Sequence, residues 1–226
     1  MADPTPAKLP VVVLISGRGS NLHAIIDCVD AGKLPIEIRA VISNRPAAAG
    51  LRYASAAGIA TEILDHTTYT ERAHFDRALQ AAIDRHAPGL VVLAGFMRIL
   101  TADFVNHYRG RMLNIHPSLL PEFPGLDTHR RVLESGATEH GASVHFVTPD
   151  TDGGPVILQA HVPVKSGDTE ERLAARLLHE EHRLYPLAIL WFATGRISVD
   201  DTGQAMLDGA RLTTPVDMAD INDLPC

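Results

Sequence analysis

A chain of 226 residues with 46% hydrophobic content has the material for a full core and for one compact domain. Its 20 Lys and Arg stand against 27 Asp and Glu, a formal net charge of -7, which argues against nucleic-acid binding through bulk electrostatics while leaving room for a local phosphate pocket. Two cysteines, Cys28 and Cys226, supply no disulfide framework, and "MADPTPAKLP" leads into an apolar run too short for a signal segment or a membrane span, so a reducing cytoplasm is expected.

Residues 1–9 read as a disordered tail, 10–214 as a single domain and 215–226 as a loose tail. "VVVLIS" (11–16) is a continuous β-branched and aliphatic run, the pattern of a strand buried on both faces, and "GRGSN" follows at once. Ser20 is placed to cap a helix in which Leu22, Ile25, Ile26 and Val29 recur at helical spacing, and Gly32 ends it. The alternation then repeats: "EIRAVIS" as a strand, a helix opened near Pro46 and closed by Gly58, and "IATEIL" as a short strand. "YTERAHFDRALQAAIDRH" is a third helix and "GLVVLAGFM" a fourth strand. Such alternation predicts an α/β fold, a Rossmann-like, mostly parallel sheet with helices on both faces.

The pattern changes after "RMLNIH", another short strand. "PSLLPEFPGLDTHRRVLESG" is a proline-broken loop entering a helix, and "ASVHFV" (142–147) and "VILQAHVPV" (156–164) are joined by the turn-rich "TPDTDGGP" as an antiparallel pair. Asp168, with Glu171 three residues on, opens a long helix in which Leu173, Leu177, Leu184, Ala188 and Trp191 recur and which Pro186 should kink. "GRISVDDTGQAMLDGARL" reads as a peripheral hairpin.

Four stretches invite a functional reading. "SGRGSN" offers glycines and a helix N-terminus to a phosphate, but no lysine completes a Walker loop, and Leu22 stands where a dinucleotide fingerprint needs glycine. A phosphate monoester and a plain tight turn both remain open there. In "LLHEEHRLYP", Arg183 occupies the place of the second zincin histidine, so a solvated helix face outweighs a metal site. His66, His74, His140, His145 and His161 show no ligand spacing and read as structural. Asn114 and His116, two apart, point the same way in an extended strand, and Asp152 sits in a glycine-rich turn. Each alone has a structural explanation. Together they suit acyl transfer without a covalent enzyme intermediate: an amide donor for an oxyanion, an imidazole acid or base, and a carboxylate to orient it.

"VVLISGRGSNLHAII", "LVVLAGFMRIL", "LNIHPSLLPEFPGLDTHRRVLESG", "HGASVHFVTPDTDGGPVILQAHVPV" and "EEHRLYP" occur in the order seen in the folate-dependent phosphoribosylglycinamide formyltransferases, which the chain resembles from about residue 11 to about 210. The resemblance implies the formyltransferase fold, 10-formyltetrahydrofolate as co-substrate and no metal. It further implies small-molecule partners without nucleic acid or membrane, a monomer or homodimer, and formyl transfer to the amine of the ribonucleotide in purine synthesis. Carried over residue by residue, it makes Asn114, His116 and Asp152 catalytic and gives Gly19, Ser20, Asn21 and Glu181 to the ribonucleotide. Arg72, Met97, Arg98, Ile99 and Leu100, with Asn114, go to the folate. One departure stands out: Asp127 occupies a position where the family often has histidine, while His129 is kept. Related methionyl-tRNA formyltransferases and formyltetrahydrofolate hydrolases carry a further C-terminal or N-terminal domain for which this sequence has no room, and all three catalytic residues are present, against a silent binding module.

Overall fold

Both faces of β1 (Leu9–Ile15) are covered, which is why it is apolar throughout: Val11, Val13 and Ile15 enter one core and Val12 and Leu14 the other. In the computed structural model, which describes residues 7–221 and 225, it leads into α1 (Ser20–Asp30). The alternation continues through β2 (Ile36–Ser43), α2 (Leu51–Ala56), β3 (Thr61–Ile63), α3 (Arg72–Asp84), β4 (Leu90–Leu93), α4 (Ala102–His107) and β5 (Met112–His116). After α5 (Thr128–Ser135) come β6 (Glu139–Phe146), β7 (Val156–Pro163) and the long α6 (Glu170–Ala193). The strands β8 (Ile197–Val199), β9 (Ala205–Leu207) and β10 (Ala210–Arg211) form a small antiparallel sheet, one strand more than the expected hairpin.

The main sheet has the order β11-β7-β6-β5-β4-β1-β2-β3, where β11 is Val216–Asp217. β1 to β5 are parallel, β6 runs antiparallel to both β5 and β7, and β11 is parallel to β7. The chain leaves β1 toward β2 and β3, then returns to lay β4 and β5 on the other side of β1. That reversal opens a crevice at the carboxyl ends of β1 and β4, the place where open α/β sheets bind ligands. The apolar sides of α1 and α6 pack on one face of the sheet, and those of α3 and α4 on the other.

Several local expectations shift. Gly19, in the left-handed region at φ 75°, precedes the first helical residue Ser20, so Ser20 is inside α1 and no side chain caps it. Thr169, rather than Asp168, caps α6 by accepting from the Arg172 amide, while Asp168 pairs with Arg176 at 2.8 Å. α6 runs on through Pro186 as one helix. Residues from 215, expected to be loose, contribute β11 and a short turn of helix with Met218 buried. Residues 1–6, 222–224 and 226 lie outside the described residues. Cys28, buried on α1, is disulfide-bonded, contrary to the expectation from the cysteine count. The localisation argument drawn from cysteine usage therefore loses its footing. No helix among the described residues is long and apolar enough to cross a membrane.

Candidate active site

Strand alternation builds the site. On β5, Leu113 and Ile115 join the core beneath α6, which turns Asn114 and His116 to the opposite face. On β6, Ala142, Val144 and Phe146 join the same core, so Ser143 and His145 face the other way. The register sets Asn114 directly across from His145 and His116 across from Ser143. The polar residues of two neighbouring strands thus share one patch, covered by loops instead of a helix.

Hydrogen bonds then fix each group. His145 Nδ1 lies 3.0 Å from the Phe146 carbonyl, which can only accept, so Nδ1 carries the proton and Nε2 is the acceptor. Nε2 faces Asn114 Nδ2 at 3.1 Å, which sets the amide with its –NH2 toward His145 and leaves its second N–H for a substrate oxygen. Burial holds the His145 pKa below the usual histidine value and keeps this arrangement neutral. His116 Nε2 donates to the Phe123 carbonyl at 3.1 Å, and its Nδ1 stands 3.5 Å from Asp152 Oδ2. The Ser118 amide bonds back to the His116 carbonyl across Pro117, which turns the chain away from the crevice.

Two loops bring Asp152 in. Its Oδ2 accepts from the Gly125 amide at 2.8 Å, and Oδ1 is 3.9 Å from His145 Nε2. Gly154 makes the approach feasible, since a Cβ there would meet the Phe146 carbonyl oxygen. Ser143 anchors the other loop: its hydroxyl donates to the Ser118 carbonyl and accepts from the Leu120 amide and from Gln159. Arg131 of α5 bonds the Pro124 carbonyl at 2.6 Å and sits over the Phe123 ring. Asp127 turns outward to Arg130 at 2.6 Å, and among the described residues it makes no hydrogen bond to the Asp152 loop. His129 and His140 meet at 3.0 Å between Nδ1 and Nε2, both with pKa lowered by burial, His140 to about 4.

The residues expected to hold the phosphate, Gly19, Ser20 and Asn21, lie after β1 at the start of α1. Gly19 and Gly50 are in backbone contact, so close that a Cβ on either would overlap the other's Cα, and the Gly50 amide bonds the Gly17 carbonyl at 3.0 Å. Asn21 Nδ2 donates to Glu181 Oε2 at 2.8 Å, joining residues 160 positions apart. Glu181 is buried on the inner stripe of α6 between Leu177 and Leu184, not on a solvated face, and burial raises its pKa against the lowering pull of Asn21 and Arg18. Among the described residues no cluster of three or more His, Cys, Asp or Glu is placed to hold a metal.

Met97–Leu100 follow β4 without regular secondary structure, with Met97 57% and Ile99 58% exposed while Leu100 is buried. Arg98 lies 5.6 Å over the Phe75 ring of α3, and its Nε is buried without a partner among the described residues. Arg72, at the start of α3, is exposed, and among the described residues no hydrogen bond joins it to that segment. Of the residues expected from sequence, Asn114, His116 and Asp152 come together and Asn21 meets Glu181. His145, read as structural from sequence, lies against Asn114 and Asp152; the alternation of "ASVHFV" was the only signal of that placement.

A family model described as formyl transferase matches residues 9–189, most of the chain. The chain belongs to the formyl transferase family. It is 57% identical over 202 residues to the phosphoribosylglycinamide formyltransferase of Escherichia coli (strain K12), covering 89% of this chain and 95% of that one. It is 47% identical to the trifunctional purine biosynthetic protein adenosine-3 of Bos taurus, over 88% of this chain and 20% of that protein. Among solved formyl transferases, the phosphoribosylglycinamide formyltransferase of Coxiella burnetii matches with a TM-score of 0.89 at 51% identity, over 93% of this chain and 99% of the other. The glycinamide ribonucleotide transformylase 1 of Symbiobacterium toebii matches at 0.86 and 44%, over 90% and 95%. The family and the fold implied by the sequence motifs are those found.

Proposed function

We propose that Asn114, His116 and Asp152 carry formyl transfer in this chain, with the ribonucleotide held by Gly19, Ser20, Asn21 and Glu181 and the folate by Arg72, Met97, Arg98, Ile99, Leu100 and Asn114. The reaction is that of its relatives: a formyl group passes from 10-formyltetrahydrofolate to the amine of 5'-phosphoribosylglycinamide, giving the formylglycinamide ribonucleotide and tetrahydrofolate in purine biosynthesis. The amine nitrogen attacks the formyl carbon, and the resulting oxyanion takes a hydrogen bond from Asn114 Nδ2, with the His116 ring, held by the Phe123 carbonyl and facing Asp152, beside it. The bond from the formyl carbon to the folate nitrogen then breaks, and the amine's proton moves to that nitrogen by way of Asp152 or a water beside it.

The observation that carries this reading is the pairing of Asn114 with His145 across β5 and β6, because it leaves one amide N–H aimed for an oxygen beside His116 and Asp152. Two orphaned buried atoms support the substrate assignment. Asn21 Oδ1 and Arg98 Nε have no partner among the described residues, and each lies on a residue given to one of the two substrates. The net charge of -7 supports small-molecule partners over nucleic acid, with a monomer or homodimer as the working unit. A cytoplasmic setting suits two charged metabolites.

Folate absorbance, followed with purified protein in the presence and absence of the ribonucleotide, tests the function. Deformylation that requires the ribonucleotide is expected. Release of formate without it would mean a hydrolase, and no change in either case would mean a silent binding module.

A further inference from the structure

We infer that the Ser16 hydroxyl, held by Asn44, is a positioning group for the folate-lining segment. The inference rests on the proposed placement of the folate against Met97–Leu100. Ser16 is the first residue after β1 and is 3% exposed. The segment it meets, Phe96–Leu100, has no ladder of its own to satisfy its backbone, so its amides need partners from elsewhere.

Ser16 bonds the backbone on both sides of Phe96, a carbonyl before it and an amide after it. Its own amide donates to the Gly95 carbonyl at 3.1 Å, and its Oγ accepts from the Met97 amide at 2.7 Å. Because an amide can only donate, the hydroxyl proton is left to point at Asn44 Oδ1, 2.5 Å away. Asn44, 1% exposed, follows β2, and its backbone carbonyl accepts from His66 Nδ1 at 2.8 Å. The connection therefore crosses the tips of β4, β1 and β2, three consecutive strands of the sheet.

The geometry bears on the folate more than on the ribonucleotide. With Phe96 and Leu100 buried as anchors and the Met97 amide pinned, the side chains of Met97 and Ile99 are presented outward at a fixed height, an apolar edge for a flat ring system. A segment free to shift would be ordered only on binding, and that ordering would weaken folate affinity. The phosphate loop, by contrast, is clamped separately through the Gly19–Gly50 contact and the bond from Gly50 to Gly17.

The test is steady-state kinetics with KM resolved for each substrate, supported by the Kd of tetrahydrofolate from calorimetry, in Ser16→Ala, Asn44→Ala and the double variant. Loss of a neutral hydrogen bond predicts a rise of roughly 3- to 10-fold in folate KM and Kd for Ser16→Ala. The ribonucleotide KM and kcat should stay essentially native, and the double variant should be no worse than Ser16→Ala, since both act on one connection. An unchanged folate KM in the folded variant, an equal rise in both KM values, or multiplicative effects of the two substitutions would overturn the inference. Should Ser16→Ala not fold, Ser16→Cys, close in size with a poorer acceptor, takes its place under the same outcomes. Arg98→Ala and Ile99→Ala separate the two readings: a raised folate KM in these with a native one in Ser16→Ala would reject only the Ser16 role. Native values in all of them would reject the folate placement and the inference together.

Discussion

At the scale of single residues, the neutrality of His145 decides which end of the Asn114 amide is turned toward it and which N–H is left for the proposed oxyanion. With Nδ1–H tied to the Phe146 carbonyl, Nε2 accepts and the amide must offer its –NH2. Protonation would turn Nε2 into a donor facing another donor. Burial lowers the His145 pKa from 6.5, so the neutral form persists through neutral pH and is lost only as pH falls toward the lowered value. Turnover in the native protein should therefore decline on the acid side, while His145→Gln, which accepts through Oε1 and does not titrate, should show a shallower acid limb in a pH–kcat profile. Identical limbs would remove His145 from the role. Glu181 offers a second case: Glu181→Gln should raise the ribonucleotide KM and leave the folate KM alone, as measured by varying each substrate in turn. In the sequence, the segment around Glu181 read as a solvated helix face, and only the resemblance gave this carboxylate to the ribonucleotide; its burial beside Asn21, 160 positions away, was not legible. The pairing of His145 with Asn114 was not readable, because alternation gives the face a residue occupies and not the register between strands 31 positions apart.

At the scale of elements, the connection from β6 to β7 makes a demanding placement, with Asp152 itself in the left-handed region at φ 52°. Gly154→Ala would put a methyl where the Phe146 carbonyl stands, and the loop bearing Asp152 would have to retreat. A misplacement of about 1 Å costs roughly 100-fold in rate, so kcat should fall by about that much while the melting temperature changes little. Helix α6 makes the opposite demand, since its inner stripe builds the core. Leu184→Ala, at a site with no exposure, should cost about 2–5 kcal/mol in urea unfolding, with catalysis preserved in the folded fraction. The elements themselves were legible from β-branched runs and helical spacing. Their ends were less so: Gly19 displaced Ser20 at the start of α1 because a left-handed residue lets the loop meet Gly50, and Thr169 displaced Asp168 because Asp168 is drawn to Arg176.

At the scale of the whole molecule, stability should depend on pH through the buried imidazoles. His129, His140 and His145 all have pKa values lowered by burial, so the unfolded chain binds more protons than the folded one in acid. Stability should be indifferent to these groups above about 6.5 and fall as pH drops from there toward about 4, the value for His140. Urea midpoints across that window should decline steadily; a constant midpoint would contradict the burial argument. The same global arrangement brings the ends of β1, β4 and β5 side by side, so that the loop proposed for the phosphate, the segment proposed for the folate and the Asn114–His116 pair follow neighbouring strands. The most direct measurement of whether transfer happens there is the single-turnover rate of ribonucleotide formylation in Asn114→Ala, in protein shown to be folded and saturated with both substrates. The account predicts a loss of about 100- to 1,000-fold, the usual effect of removing one oxyanion donor. A rate near that of the native protein would contradict it.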